Sequence, residues 1–402
     1  MIWYPYTQMK TMASPITIQD ASGVHLYTKD GKDLIDSISS WWSVIHGYHH
    51  PKLDEAISKQ LSHFSHIMLG GLTHEPALKL AKTLATWLPG DLDYCFFSDS
   101  GSVGVEVALK MALQFHTNQG SNRKTILALE HAYHGDTFKA MEVGDDEDYH
   151  FAFGKHNEKK QGVIHIPTNL PALEQVFQEH GNELSCFIVE PLLQGAGGMR
   201  MYPLSFLQRA RELCDAYQVL LIFDEVATGF GRTGHRFVAD LVLPDILVLG
   251  KALTGGYLGH AVTVANQKVW KAFYSDNPTH ALMHGPTFMG NALACSVALA
   301  SIQLFEEENY LEKIQQIETI TRRELKDFSS PAIREIRIMG GVVCMEVYDE
   351  KSLEGFSQFA YARGIFNRPF LRYLYACVPY IIKEDELVLV LQTMKDWFFN
   401  PS

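Results

Sequence analysis

Short runs of apolar residues recur through the middle of the chain: Tyr94–Phe97, Thr125–Leu129, Val163–Ile166, Cys186–Val189, Val219–Phe223, Ile246–Leu249 and Ala261–Ala265. Runs this short, apolar on both faces, suit buried parallel strands better than helices. Between most of them apolar positions fall at helical spacing, as in Val103–Phe115 and Leu204–Tyr217. Strands alternating with helices predict a mostly parallel sheet covered by helices on both faces. The last two runs lie close together around Thr254-Gly255-Gly256, which predicts one antiparallel strand at the sheet edge. About residues 46–304 are assigned to this large domain.

Beyond it the pattern changes. Leu304–Phe328 reads as one long charged helix, and Ile333–Ile338 and Val342–Val347 as an antiparallel pair turning at Gly340-Gly341. Val378–Ile382 and a helix from about Asp385 to Phe399 complete a small α+β domain over residues 305–402. The first 45 residues, with a hairpin turn at Gly31, are expected to join that domain.

Two strand ends carry the chemistry. Val219–Phe223 closes in Asp224 and Glu225, and Ile246–Leu249 is followed by Gly250 and Lys251. In open α/β sheets ligands bind at the carboxyl ends of strands, so Asp224 and Lys251 are expected in one crevice. A lysine there can form a Schiff base, and a carboxylate can hold the protonated ring nitrogen of pyridoxal phosphate. On spacing alone a buried ion pair is an equal alternative. Ser98-Asp99-Ser100-Gly101-Ser102 leads from a strand into a helix. Its small residues let backbone N–H groups approach an anion, which makes Gly101 and Ser102 candidate phosphate ligands. An ordinary serine cap fits the same loop.

Composition narrows the function classes. The chain has 402 residues, enough for a large core, and a net charge of −12 with no dense basic block, so nucleic acid is not an expected partner. Six scattered cysteines without paired spacing fit reduced core residues. Met1-Ile2-Trp3-Tyr4-Pro5 lacks the basic and apolar regions of a signal peptide, and no apolar stretch reaches membrane-spanning length. A cytoplasmic protein is expected.

Two decoys stand out. Gly229-Phe230-Gly231-Arg232-Thr233-Gly234 satisfies the dinucleotide fingerprint and would suit a nicotinamide oxidoreductase, but no long amphipathic pattern follows it. His46, His49 and His50 lack zinc-site spacing, so no metal is expected and a turn before Pro51 is read there.

The stretches Asp224-Glu225-Val226-Ala227-Thr228-Gly229-Phe230-Gly231-Arg232-Thr233-Gly234 and Gly250-Lys251-Ala252-Leu253-Thr254-Gly255-Gly256 resemble the signature of the class III aminotransferases. Trp3-Tyr4-Pro5-Tyr6-Thr7-Gln8, Ser40-Trp41-Trp42, His46-Gly47-Tyr48, Tyr133-His134-Gly135-Asp136-Thr137, His284-Gly285-Pro286-Thr287-Phe288-Met289-Gly290-Asn291 and Arg368-Pro369-Phe370 resemble its diaminononanoate-forming branch. Ala227, where many members carry Gln, points the same way. The resemblance implies fold type I, the aspartate-aminotransferase-like α/β fold. It also implies pyridoxal 5'-phosphate as cofactor, with 8-amino-7-oxononanoate and S-adenosylmethionine as substrates, lysine being the alternative donor. Lys251 would carry the cofactor and move a proton, Asp224 would hold the ring nitrogen, and Tyr133 would lie against the ring. Thr287 would reach the cofactor phosphate of a neighbouring subunit, implying a homodimer with shared sites. Tyr6, Trp41, Trp42, Arg232, Gly285 and Arg368 would form the substrate pocket, with Arg368 set by the extended backbone before Pro369 and gripping a carboxylate. Whether Glu190, in Glu190-Pro191-Leu192-Leu193-Gln194-Gly195, meets substrate stays open.

Overall fold

The computed structural model describes residues 2–145 and 162–399. The part of the large domain between residues 146 and 161 lies outside the described residues. The chain begins with β1 (Ile18–Ser22), β2 (His25–Thr28) and β3 (Asp33–Asp36), an antiparallel meander turning through Gly31, whose φ of +85° favours glycine. The large sheet is built from β4 (Leu92–Ser98), β5 (Thr125–Leu129), β6 (Val163–Ile166) and β7 (Leu184–Val189). After a small ladder of β8 (Leu193–Gln194) and β9 (Arg200–Met201) it continues with β10 (Leu220–Asp224), β11 (Ile246–Leu249) and β12 (Ala261–Asn266). The chain ends with β13 (Ile333–Met339), β14 (Val342–Val347), β15 (Ile365–Phe366), β16 (Tyr373–Cys377) and the helix Glu384–Phe399.

All seven apolar runs are strands of one sheet, in the order β4-β12-β11-β10-β7-β5-β6. β10 pairs in parallel with both β11 and β7, and β5 with both β7 and β6. Alternate residues explain the apolar runs. Leu221, Phe223, Leu247 and Leu249 pack into one buried cluster, whereas Leu220, Ile222, Ile246 and Val248 pack into another on the opposite face. The expected antiparallel strand is β12, but it is not at the edge. It lies between β11 and β4 and runs antiparallel to both, so β4 closes the sheet.

The remaining elements gather beside this sheet. β15 adds in parallel to β3, and Ile35 N–H donates to the Gly364 carbonyl, so the first strands and the C-terminal segment form one sheet. β13, β14 and β16 form a separate antiparallel sheet.

Two expectations are corrected. The long helix breaks: Ala292–Glu307 ends, Asn309 adopts a left-handed φ of 52°, and Tyr310–Leu325 begins. The break lets the Tyr310 ring bury and its hydroxyl meet His46 Nδ1 at 2.8 Å, while Ser301 meets Nε2 at 2.8 Å. Desolvation pushes the His46 pKa down to about 3, so His46 is a neutral core residue. The last strand is β16 rather than residues 378–382, where Pro379 has no N–H to offer a ladder. That segment turns back instead, with Tyr380 N–H donating to Ile45. His50 caps the helix Pro51–Leu61, as the turn before Pro51 requires.

Candidate active site

Parallel register brings the two strand ends together. Asp224 pairs with Val248, and Glu225 N–H donates to the Val248 carbonyl at 2.9 Å. Three residues beyond Val248, Lys251 opens a 3-10 turn over Lys251–Thr254 with a φ of +43°, a left-handed value that crowds a Cβ. Its ammonium nitrogen stands 5.9 Å from the Trp42 ring centroid. Desolvation lowers the Lys251 pKa, while the charges of Asp224 and Glu190 pull it back up. A lysine whose pKa is depressed in this way holds more of the neutral, nucleophilic amine near neutral pH.

Asp224 is itself anchored. Its Oδ1 accepts from Val226 N–H at 3.1 Å, and its Oδ2 accepts from His134 Nδ1 at 2.8 Å in a buried pair. The neighbouring Tyr133 N–H donates to Glu190 Oε2 at 3.0 Å, and Gly195 N–H to Glu190 Oε1 at 2.9 Å. Both Glu190 oxygens thus accept from backbone N–H groups, which makes this carboxyl a brace for Tyr133. Burial pushes its pKa up to about 7, with Asp224 adding to the rise and His134 opposing it. Glu225 is also buried, pushed up to about 8, and fastens the N–H groups of Val238 and Ala239.

A cradle borders the start of the Lys251 turn, since the Val226 side chain lies against both Gly101 and Gly250. The helix Gly101–Asn118 starts from the cap Ser100, whose hydroxyl accepts from Val103 N–H. A Cβ at Gly101 would come within 2.7 Å of Val226 Cγ1, so only glycine lets the helix N-terminus approach this closely. Ser102 Oγ accepts from Asp136 N–H at 3.1 Å, tying the cradle to the Tyr133 loop.

At the mouth, the hydroxyls of Tyr6 and Tyr133 meet at 3.0 Å and both donate to Asp136 Oδ1. Desolvation and the Tyr6 contact raise the Tyr133 pKa. Trp41, 43 % exposed, packs edge-on against Tyr6 at 6.2 Å, whereas Trp42 is buried. Arg368 is exposed and donates to the Tyr6 carbonyl at 3.1 Å. Lys251, Asp224, Tyr133, Gly101, Ser102, Tyr6, Trp41, Trp42 and Arg368 therefore belong to one connected cleft.

Arg232 does not. Its guanidinium is fully buried, donates to the carbonyls of Val378 at 2.7 Å and Trp42 at 3.2 Å, and stacks on Tyr380. Two backbone acceptors and an aromatic face engage the fork, so Arg232 ties three segments together, while its Nε is buried without a hydrogen-bond partner among the described residues. Gly285 and Thr287 lie apart from the cleft's hydrogen bonds, on an exposed segment whose Met283 and Phe288 are 86 % and 62 % exposed. The Gly-rich decoy runs through turns to a short 3-10 element at Val238–Asp240.

The sequence reading gave no role to His134 or Asp136, although both stand in the quoted Tyr133–Thr137 motif. Their partners, Asp224 and Tyr6, lie 90 and 130 residues away. The residues present fit pyridoxal phosphate. A desolvated lysine, a buried carboxylate braced by a histidine and a glycine-lined helix N-terminus match its aldehyde, ring nitrogen and phosphate. His134 Nε2 remains buried without a hydrogen-bond partner among the described residues. Among those residues no group of three or more His, Cys, Asp or Glu could hold a metal, and no helix is long and apolar enough to cross a membrane.

The family model described as Aminotransferase class-III matches residues 6–398. The chain is 39% identical over 397 residues to the adenosylmethionine-8-amino-7-oxononanoate aminotransferase of Corynebacterium glutamicum, covering 96% of this chain and 93% of that protein. It is 37% identical over 446 residues to the protein of the same name in Saccharomyces cerevisiae, covering 98% of this chain and 93% of that one. The crystal structure of the Methanocaldococcus jannaschii protein of that name superposes with a TM-score of 0.92 at 32% identity, covering 99% and 96% of the two chains. A PLP-bound amine transaminase from an uncultivated Pseudomonas species superposes equally well, at 0.92 and 25% identity, covering 100% and 99%. The architecture is that of fold type I.

The His134–Asp224 pair yields a test. Hydrogen bonds to charged groups contribute about 1.5–3 kcal/mol, so His134→Ala should weaken pyridoxal phosphate binding or slow turnover by roughly ten- to hundredfold. His134→Asn, which keeps a donor, should recover part of it. Absorbance titration and steady-state rates read both, and unchanged values in His134→Ala would remove this residue from the site.

Proposed function

The chain belongs to the class-III aminotransferases, and from that premise we propose that it transfers an amino group to the ketone of 8-amino-7-oxononanoate. The product is 7,8-diaminononanoate, an intermediate of biotin synthesis, and the donor is S-adenosylmethionine. One observation carries this reading: full-length similarity to enzymes bearing that name, in a chain whose cleft joins Lys251 and Asp224 to an aromatic mouth. Ala227 supports it. Ala227 and Trp42 both border Gly195, and Ala227 packs against the apolar cluster that contains Trp42, so a longer residue at 227 would compete for room in that cluster.

The cofactor is pyridoxal phosphate, which when bound supplies an electron sink for the carbon that loses its proton. Lys251 Nζ removes and returns that proton, and desolvation keeps the amine available for it. Asp224 would face the ring nitrogen, steadied by its contact with His134 Nδ1. Gly101 and Ser102 offer the helix N-terminus to the phosphate. Tyr133 covers the ring, held from behind by Glu190. Tyr6, Trp41 and Trp42 line the path of the aliphatic chain, and Arg368 grips its carboxylate with a planar two-point contact.

Two copies share the sites in this reading, with Thr287 reaching the phosphate bound by its neighbour. The exposed apolar side chains beside Thr287 support an interface there. Six free cysteines, five of them buried, suit a reducing compartment such as the cytoplasm.

Purified protein loaded with cofactor and offered the keto acid should accept amine from S-adenosylmethionine. Turnover with lysine alone would reassign the donor, and no turnover with any donor would end the reading. Arg368→Ala should lower kcat/KM for the keto acid by roughly ten- to hundredfold, since hydrogen bonds to a charged group contribute about 1.5–3 kcal/mol. Arg368→Lys should recover only part of this. A single-turnover rate and affinity unchanged in Arg368→Ala would move the carboxylate elsewhere.

Mixed dimers test the shared site. Lys251→Ala and Thr287→Ala chains, each impaired alone, should regain part of the activity after subunit exchange, because one site then keeps both residues. Verified exchange without recovery beyond the sum of the parents would show that the site is built from one chain.

A further inference from the structure

Residues Ser39–Trp42 form one turn of helix with the wrong hand. Their φ values are 49°, 42°, 55° and 74°, with no glycine among them, and ψ is 60° at Ser40 and 56° at Trp41. Trp42 N–H donates to Ile38 and Ser43 N–H to Ser39, four residues back in each case, as in an ordinary helical turn. In this conformation each Cβ crowds the following carbonyl, so consecutive non-glycine residues adopt it only where the surroundings impose it.

Asp36 is buried at the end of β3 and supplies what imposes it. Its Oδ1 accepts from Ile38 N–H at 3.0 Å, and its Oδ2 from Ser40 N–H at 2.8 Å and from the Tyr48 hydroxyl at 2.5 Å. The two N–H groups lie at the leading end of the turn, where a helix leaves its N–H groups without intrahelical partners. The trailing end is closed by Arg232, which donates to the Trp42 carbonyl. Ser39 Oγ adds a bond to the Cys377 carbonyl at 2.6 Å. The turn ends in the two rings of the cleft, one against Tyr6 and the other near the Lys251 amine.

We propose that Asp36 is a positioning residue that holds Ser39–Trp42 in a left-handed turn and so fixes Trp41 and Trp42 where the aliphatic part of the substrate lies. The proposal deepens the proposed function, on which only its substrate readout rests. Asp36 touches neither substrate nor cofactor; it acts through the backbone of the turn.

The test pairs kinetics with a spectroscopic reporter. Protein containing 5-fluorotryptophan gives a fluorine resonance for Trp41, assigned by its loss in Trp41→Phe. Asp36→Asn, which keeps the size but turns one acceptor into a donor, should shift or broaden that resonance. It should raise KM for the keto acid about tenfold and change kcat far less, with cofactor absorbance unchanged. Adding Ser40→Gly should restore part of both, because glycine takes positive φ without crowding, and adding Ser40→Ala should not.

Should Asp36→Asn fail to fold, Ser40→Gly and Ser40→Val in the otherwise unchanged chain make the same comparison. Both lose the hydroxyl, but only valine resists the left-handed backbone, so only valine should move the resonance and KM. An unmoved resonance and KM in Asp36→Asn, or equal effects of glycine and valine at residue 40, would overturn the proposal. A resonance that follows the expected pattern in a protein inactive toward the keto acid would instead overturn the substrate assignment and leave the turn intact.

Discussion

Parallel pairing of Asp224 with Val248 places one strand's carboxylate beside the other strand's exit toward Lys251, and the chemistry of the cleft depends on that register. Both strands are buried on both faces, with alternate side chains committed to opposite clusters, so a slip of one residue would exchange every contact at once. The apolar core therefore fixes the position of two polar groups that contribute nothing to it. Gly101, Val226 and Gly250 extend the same constraint, because the Val226 side chain fills the space that a Cβ on either glycine would need.

Polar groups near this point come in braced sets. Asp224 is held by His134 and by Val226 N–H, Glu190 by two backbone N–H groups, and Glu225 by two more. Burial pushes Glu190 and Glu225 toward their neutral forms, and the nearby Asp224 adds to the rise in both. A raised carboxyl carries a proton in the folded chain that the unfolded chain has already released. The two groups therefore weaken the fold progressively as pH climbs from their ordinary values toward about 7 and about 8. The cleft accepts that cost to hold Tyr133 and the loop after Asp224 in place.

Much of this was legible in the residues. Strands buried on both faces leave unmistakable apolar runs, and charged residues at two of their ends mark the crevice. What the pattern lacks is long-range order. β12 could be recognised as antiparallel from its turn, but not as an interior strand, because spacing along the chain says nothing about which strand lies beyond it. Asn309 breaks a helix through which the apolar period continues, and only the burial of Tyr310 against His46 explains the break. The tie made by Arg232 could not be read from the sequence, because its acceptors, the carbonyls of Trp42 and Val378, lie 190 and 146 residues away. The left-handed turn at Ser39–Trp42 had no glycine to announce it.

The most direct test of the account is chemical. Cofactor-loaded protein reduced with borohydride and digested should carry a pyridoxyl group on the peptide containing Lys251, and reduction of Lys251→Ala should leave no such peptide. A label on another lysine, or none in wild-type protein that binds the cofactor, would contradict the assignment of Lys251 and with it the reading of the cleft.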